Sequence, residues 1–200
     1  TNSHHRFRKH KNLIDGIAIE RPEQVWVSDI TYIGNRQNPM YLSLVTDAYS
    51  KKIMGFNVSR SLNTSGVIAA LKQAAKNRKY PSSNLIHHSD RGLQYCSNEY
   101  QQLLTTNKIY CSMTESYDPY QNAIAERVNG ILKHEFILGI SVADLNLMSK
   151  LITQSINIYN HERPHWSCWM NTPEQMHSQQ TIKIRSYKTK NSTEEIPDAI

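Results

Sequence analysis

Between Val25 and Ser59 the chain carries three successive apolar runs, VWVSDITYI, MYLSLVTD and KKIMGFNVS, separated only by short polar turns. Three strands so closely connected predict an antiparallel meander. At residue 64 the period changes. In NTSGVIAALKQAAKNRK, Val67, Ile68, Leu71, Ala74 and Ala75 recur at helical spacing, with Asn63 or Thr64 placed to cap the helix. Beyond it, NLIHHSD after Pro81 reads as a short strand, SNEYQQLLTTN as a helix, KIYCSMT as a strand and QNAIAERVNGILKHEF as a helix, with a further helix over 144–160. A meander that feeds into alternating strands and helices restricts the chain to one mixed sheet with helices on its faces.

Two hundred residues, 38% hydrophobic and 20% charged, provide for one substantial core with appendages. The expected division is a basic N-terminal arm over 1–19, a core over 20–178, and a flexible tail over 179–200, where periodicity is lost. A net charge of +6 points to an anionic partner such as nucleic acid. Cys96, Cys111 and Cys168 are odd in number and have no CxxC spacing, which argues for a reducing compartment and against a disulfide framework. No apolar run reaches the roughly 20 residues of a membrane span, and no signal peptide is visible, so a soluble intracellular protein is expected. His4, His5 and His10 lack partner cysteines or finger spacing and read as part of the basic arm.

Three acidic residues stand out by position. Asp29 lies in the middle of the first strand, where a charge is costly unless it faces solvent or a partner. Asp90 ends the fourth strand in IHHSDRG, where Gly92 can let the chain turn sharply. On a helical wheel of about 100° per residue, Ile124, Val128 and Ile131 form one apolar stripe, and Glu126 and Lys133 point away from it together. Each alone reads as a turn, cap or solvated residue. As a set they offer three hard oxygen ligands, the donor type that Mg²⁺ requires, and phosphodiester chemistry is commonly driven by two such ions about 3.5–4 Å apart.

The sequence around these residues, WVSDITYI, HHSDRGLQY and NAIAERVNGILKHEF, with sixty residues between the two aspartates and thirty-five between Asp90 and Glu126, resembles the DDE transposases of bacterial insertion sequences, relatives of the retroviral integrases. Lys133, seven positions after Glu126, matches a basic residue that this family carries on the same helix. YNHERPHWSCWMNTPEQ is similar to the Asn, Arg-Pro-His, Thr-Pro signature that closes such catalytic domains. The resemblance covers about residues 20–176. It implies a ribonuclease H-like fold, with a mixed five-stranded sheet flanked by helices and the first and fourth strands adjacent. It further implies an enzyme that cleaves and transfers DNA strands, with Asp29, Asp90 and Glu126 as catalytic residues holding two Mg²⁺ ions, Mn²⁺ being able to substitute. Lys133, Arg91 and Arg127 become candidate DNA contacts. The expected partners are element ends and target DNA, further copies of the chain assembled on DNA, and an upstream recognition polypeptide; the expected location is the bacterial cytoplasm, with the nucleoid.

Other residues read as structural. Asp47 is placed as a strand-end or turn residue, and Glu99 near a helix start, where it favours the dipole. Glu135 lies close to the apolar stripe. His87 and His88 alternate on their strand in structural roles, with a phosphate contact open to His88. Trp166 and Trp169 read as packing residues rather than base-stacking platforms. Cys168 stands where the family usually shows an aliphatic residue, and Ser116-Tyr117 replaces a more usual Gly-containing turn. Two rival functions remain: a nuclease of the same fold that hydrolyses without joining, and a truncated DNA-binding remnant without turnover.

Overall fold

The computed structural model describes residues 10–35, 37–115, 123–136 and 142–185. The meander is present as β1 (Val25–Gly34), β2 (Pro39–Asp47) and β3 (Ile53–Ser59), paired antiparallel in sequence order. Gly34 ends β1 with φ +81°, and a Cβ there would lie 2.8 Å from the Asn38 carbonyl oxygen, so the turn into β2 calls for glycine. Next come α1 (Thr64–Lys76), β4 (Leu85–Ser89), the short α2 (Leu93–Cys96), α3 (Asn98–Thr106) and β5 (Ile109–Met113). The sheet order is β3-β2-β1-β4-β5, with β1, β4 and β5 parallel. This is the expected mixed five-stranded sheet, and its first and fourth strands are neighbours.

Period-two alternation divides the strands between two helical layers. Trp26, Val45, Met54 and Leu85 face α1 and α3 with Val67, Leu71, Tyr100 and Leu104. Helix α1 lies so close to β3 that a Cβ on Gly55 would meet the Ala70 carbonyl oxygen at 2.1 Å. On the other face Ile33, Met40, Leu42 and Leu44 pack against Val128, Ile131, Met148 and Ile152. These last belong to α4 (Ala123–Ile131) and α5 (Leu145–His161), which Asp144 caps by accepting from the Leu147 N–H at 2.6 Å.

The single α-helix through residue 136 that the spacing suggests does not form. After Ile131 the chain continues as a π-helical turn, Leu132–Phe136. Apolar spacing alone does not distinguish the two, because Leu132 and Phe136 stay on the core side. The wider turn advances each residue by less than an α-helix does, so Lys133 lags behind the position that the helical wheel assigns it.

The Thr-Pro end of the signature is a helix start. Thr172 accepts from the Gln175 N–H, Gln175 returns a bond to the Thr172 N–H, and Pro173 opens α6 (Pro173–His177). Its last residue, His177, sits with Glu23 and Asp47 in a fully buried polar cluster. Glu23 pairs with Arg78 at 3.0 Å and His177 at 3.4 Å, and accepts from the Lys79 N–H at 2.6 Å. Asp47 accepts from the Ser50 N–H at 2.7 Å, as a turn residue should, and from the Glu23 N–H at 2.7 Å. Burial works against the proton on His177, but the Asp47 and Glu23 carboxylates outweigh it and hold the imidazole above its ordinary pKa. Burial likewise works against charge on Glu23, and the His177, Lys79, Arg78 and Tyr80 donors outweigh it, keeping the carboxyl below its usual range.

The described parts of both expected terminal segments make contacts with the core. In the expected arm, residues 1–9 lie outside the described residues, but Leu13 N–H donates to Ser112 Oγ at 2.8 Å, Met113 N–H to the Lys11 carbonyl at 3.3 Å, and Ile14 and Ile19 pack beside Val25 and Ala125. In the expected tail, residues 186–200 lie outside the described residues, yet 179–185 are held on the core. Tyr49 Oη donates to the Ile182 carbonyl, Trp169 Nε1 to the Lys183 carbonyl at 2.7 Å, and Arg185 stacks 4.0 Å from the rings of both Trp166 and Trp169. Backbone acceptors and a guanidinium do this work, and they leave no apolar period in the sequence. Among the described residues no helix is long and apolar enough to cross a membrane.

The buried cluster predicts a pH dependence. A histidine whose folded pKa is raised stabilises the fold fully below its unfolded value of about 6.5, and the contribution is lost as pH rises through the folded value. Denaturant unfolding at stepped pH should show wild-type stability falling above pH 6.5, with a shallower fall in His177→Gln. Parallel pH profiles for the two proteins would exclude the charged His177 as a tie.

Candidate active site

Parallel pairing of β1 with β4 runs to Ser28 opposite Ser89, and the next residue of each strand line is an aspartate, Asp29 and Asp90. Neither could be placed beside the other by local sequence. Asp29 shares its face of β1 with Val25, Val27 and Ile33, toward α4, whereas Trp26 and Ile30 face α1. Helix α4 lies over this part of β1, with Ala125 packed among Val25, Val27 and Ala48. Glu126 is exposed on α4, and Asp29 and Asp90 are half-buried.

The mutual approach of the three carboxylates is recorded in Asp29. Its carboxyl is pushed up to about 6, first by burial and then by the negative charge of Asp90, with Glu126 adding to the repulsion. Hydrogen bonds from the Ile30 N–H and the Asn129 side chain pull the other way. Among the described residues no three His, Cys, Asp or Glu side chains are gathered closely enough to hold a metal ion by themselves. The triad is thus within electrostatic reach without forming a closed ligand cage.

Asn129, which the sequence reading missed, completes the arrangement. Its Nδ2 donates to Asp29 Oδ2 at 2.7 Å, and its buried Oδ1 has no hydrogen-bond partner among the described residues. The available signal was its position three residues after Glu126, one helical turn on and on the same side. The site therefore offers several hard oxygens and few donors, with an orphaned acceptor among carboxylates that repel each other. That donor set fits a hard divalent cation.

The turn after β4 differs from its sequence reading. Gly92 has φ −62°, which any residue adopts, and the turn is closed by Asp90 itself, whose Oδ1 accepts from the Gly92 N–H at 2.9 Å. Arg91 is half-buried beside it, Arg127 is exposed next to Glu126, and Lys133 is half-buried in the π-helical turn. Ser116 and Tyr117 lie outside the described residues.

The two strand histidines are structural. His87 Nε2 lies 2.7 Å from Ser28 Oγ and 2.9 Å from Tyr100 Oη, and burial drives its pKa down to about 3, with His88 adding to the shift. His88 is fully buried with Nδ1 2.8 Å from Ser112 Oγ, which closes the phosphate contact considered for it. Trp166 and Trp169 pack, but on Arg185 rather than in the core, and each stays more than half exposed. Cys168 is buried with Tyr49 and Met176, serving as the apolar residue expected there. Cys96, Cys111 and Cys168 are all free thiols.

Family models described as "Integrase core domain" match residues 19–119 and 107–173. The chain is 40% identical over 120 residues to the transposase for insertion sequence element IS629 of Shigella sonnei, covering 60% of this chain and 40% of the relative. It is 34% identical over 155 residues to the putative transposase for insertion sequence element IS986/IS6110 of Mycobacterium tuberculosis, covering 74% and 55% respectively. The chain thus spans about half the length of these curated relatives. Among solved structures, the HTLV-2 integrase catalytic core domain in complex with magnesium superposes with a TM-score of 0.61 at 21% identity, over 78% of this chain and 97% of that one. The fold they share is the ribonuclease H-like α/β fold.

A raised carboxyl pKa is a stability statement with a definite sign. The folded state binds the Asp29 proton more tightly than the unfolded chain, so ionisation destabilises the fold, fully above pH 6 and not at all below about 3.8. Asp29→Asn should therefore stabilise the metal-free protein by roughly 1–3 kcal/mol at pH 7, and the gain should vanish as pH falls toward 4. Denaturant midpoints at pH 7 and pH 4 measure this, and an equal gain at both would refute carboxylate repulsion as its cause.

Proposed function

The chain belongs to the integrase core domain family, and on that premise we propose that it is the catalytic core of an insertion-sequence transposase of the DDE type, cleaving DNA strands and joining freed ends to target DNA. The observation that carries this reading is the meeting of Asp29 and Asp90 at the end of the β1–β4 pairing, with Glu126 within electrostatic reach on α4.

Asp29, Asp90 and Glu126 are the catalytic residues in this reading and would hold two Mg²⁺ ions, with Mn²⁺ able to substitute. When bound, the ions supply Lewis-acid activation of the attacking oxygen and charge stabilisation at the leaving oxygen. The chain's own residues do the rest. Asn129 fixes the rotamer of Asp29 through its 2.7 Å bond, keeping the other carboxylate oxygen available. No side chain serves as nucleophile; water attacks first and a DNA 3′-hydroxyl second, both in line with the scissile bond. Lys133, Arg91 and Arg127 hold phosphates and set the register of the duplex without reading its sequence. An ammonium cannot ligate a metal, so the role of Lys133 is confined to DNA.

The proposed partners are element ends, target DNA and further copies of the chain assembled on DNA, with sequence recognition supplied by an upstream polypeptide. The proposed location is the bacterial cytoplasm, in association with the nucleoid. The relatives' names support the element class, and the magnesium complex of the structural neighbour supports a divalent ion.

The decisive experiment uses pre-cut and uncut element ends with Mg²⁺. Asp29→Asn, Asp90→Asn and Glu126→Gln should each abolish cleavage and joining while the protein stays folded, and retained activity in any one would remove that residue from the triad. Lys133→Ala should reduce joining about tenfold or more with metal binding, read by calorimetry, near wild type. A wild-type enzyme that nicks ends without joining them would point to a nuclease instead.

A further inference from the structure

The C-terminal continuation of the α4 helix is held by a guanidinium–carboxylate fork. Arg163 Nε donates to Glu135 Oε2 and Nη2 to Glu135 Oε1, both at 2.6 Å. Two parallel charge-assisted bonds fix the plane of each group as well as its distance. Glu135 belongs to the π-helical turn, two residues beyond Lys133 and nine beyond Glu126. The sequence reading placed it near the apolar stripe; the fork draws it outward instead.

The opposite end of the fork is anchored in the sheet. Arg163 N–H donates to the Ile158 carbonyl at 3.1 Å as α5 ends. Asn160, on the last turn of α5, accepts from the Ile53 N–H and donates to the Ile53 carbonyl, each at 3.0 Å, so its buried amide takes the place of a neighbouring strand. Tyr159 Oη adds a 2.9 Å bond to the Lys51 carbonyl. The Asn and Arg of the closing signature thus link β3, through α5 and Glu135, to the helix that carries Glu126.

Stability is a small part of what this fork supplies. Its side chains are 24% and 46% exposed, where an ion pair adds only modestly to folding. What it adds is direction. Helix α4 rests on the sheet through Ala125, Val128 and Ile131, and apolar contacts resist separation more than rotation. Among the described residues, two directional restraints oppose rotation: Asn129 on Asp29 near the middle and Arg163 on Glu135 at the far end.

We propose that Arg163 is a positioning residue for strand transfer, fixing through Glu135 the rotation of the π-helical turn and of α4 and thereby the directions in which Lys133 and Glu126 project. The reaction it serves is the one proposed above, so the two must be tested separably.

The test compares the full chain with Arg163→Lys, Glu135→Gln and the exchanged pair Arg163→Glu with Glu135→Arg. Arg163→Lys keeps the charge and loses the fork. Both single variants should melt within about 4 °C of wild type, exchange the amide hydrogens of residues 132–136 about tenfold faster with α5 unchanged, and join pre-cut ends at least about tenfold more slowly, turnover falling more than KM rises. The exchanged pair should recover most of both losses. Unchanged amide exchange in the single variants, faster exchange with undiminished joining, or an exchanged pair no better than the singles would each overturn the proposal. If the wild-type chain joins no DNA at all, the functional reading falls, and amide exchange with its recovery in the exchanged pair decides alone whether the fork holds the helix.

Discussion

The parallel pairing of β1 with β4 organises the rest of the molecule. Parallel strands cannot be joined by a tight turn, so this pairing exists only because β2, β3 and α1 intervene and return the chain to the far side of β1. Its last registered pair is Ser28 with Ser89, and the next step brings together two aspartates with sixty residues between them. The ladder of backbone bonds behind them brings the two residues side by side, and the turn that Asp90 closes on the Gly92 N–H fixes its side chain. A site built on strands in this way is held more precisely than one built on connecting segments.

That placement carries a cost in stability which the surrounding structure absorbs. Burial first, and then the negative charges of Asp90 and Glu126, raise the Asp29 pKa to about 6, and the Ile30 N–H and the Asn129 amide offset part of that shift. The core beneath is well filled, with Trp26, Met40, Leu42, Leu71 and Leu85 fully buried on the two faces of the sheet. Elsewhere buried charge is compensated: Glu23 is met by Arg78, His177 and two backbone donors, and Asp47 by backbone and hydroxyl donors. The contrast separates the two acidic groups physically. One is supplied with donors until its charge is satisfied, and Asp29 keeps a raised pKa despite the donors that reach it, which suits the cation-binding role proposed for it.

The C-terminal signature reads, in physical terms, as a series of fasteners. Asn160 pairs with β3, Arg163 with the continuation of α4, Thr172 and Pro173 start α6, and His177 closes the buried cluster at the base of β1 and β2. None of these residues belongs to the carboxylate triad; Asn160 and His177 tie α5 and α6 to the sheet, Arg163 ties the end of α5 to the continuation of α4, and Thr172 and Pro173 fix where α6 begins.

Much of this fold was legible because period two and period 3.6 leave distinct marks: the meander, α1, α3, the short strands and α5 follow from apolar spacing, and α1 starts after Asn63 as expected although that side chain makes no cap bond. The carboxylates were legible through their contexts and order, since charges set in apolar or turn-forming segments need a reason to be there. Where periodicity and propensity are silent, the sequence misled or said nothing. The π-helical turn keeps the same residues on the core as an α-helix would, the strap over 179–185 is held by backbone carbonyls and stacking on Arg185, and Asn129 is an ordinary polar residue until Asp29 lies opposite. Local sequence determines which elements form and which residues each one presents. Only the tertiary structure decides which presented groups meet, because strand register and helix rotation are fixed by contacts between residues far apart in the chain, and the Asp29 pKa, the orphaned Asn129 oxygen and the Arg163–Glu135 fork exist only once those contacts are made.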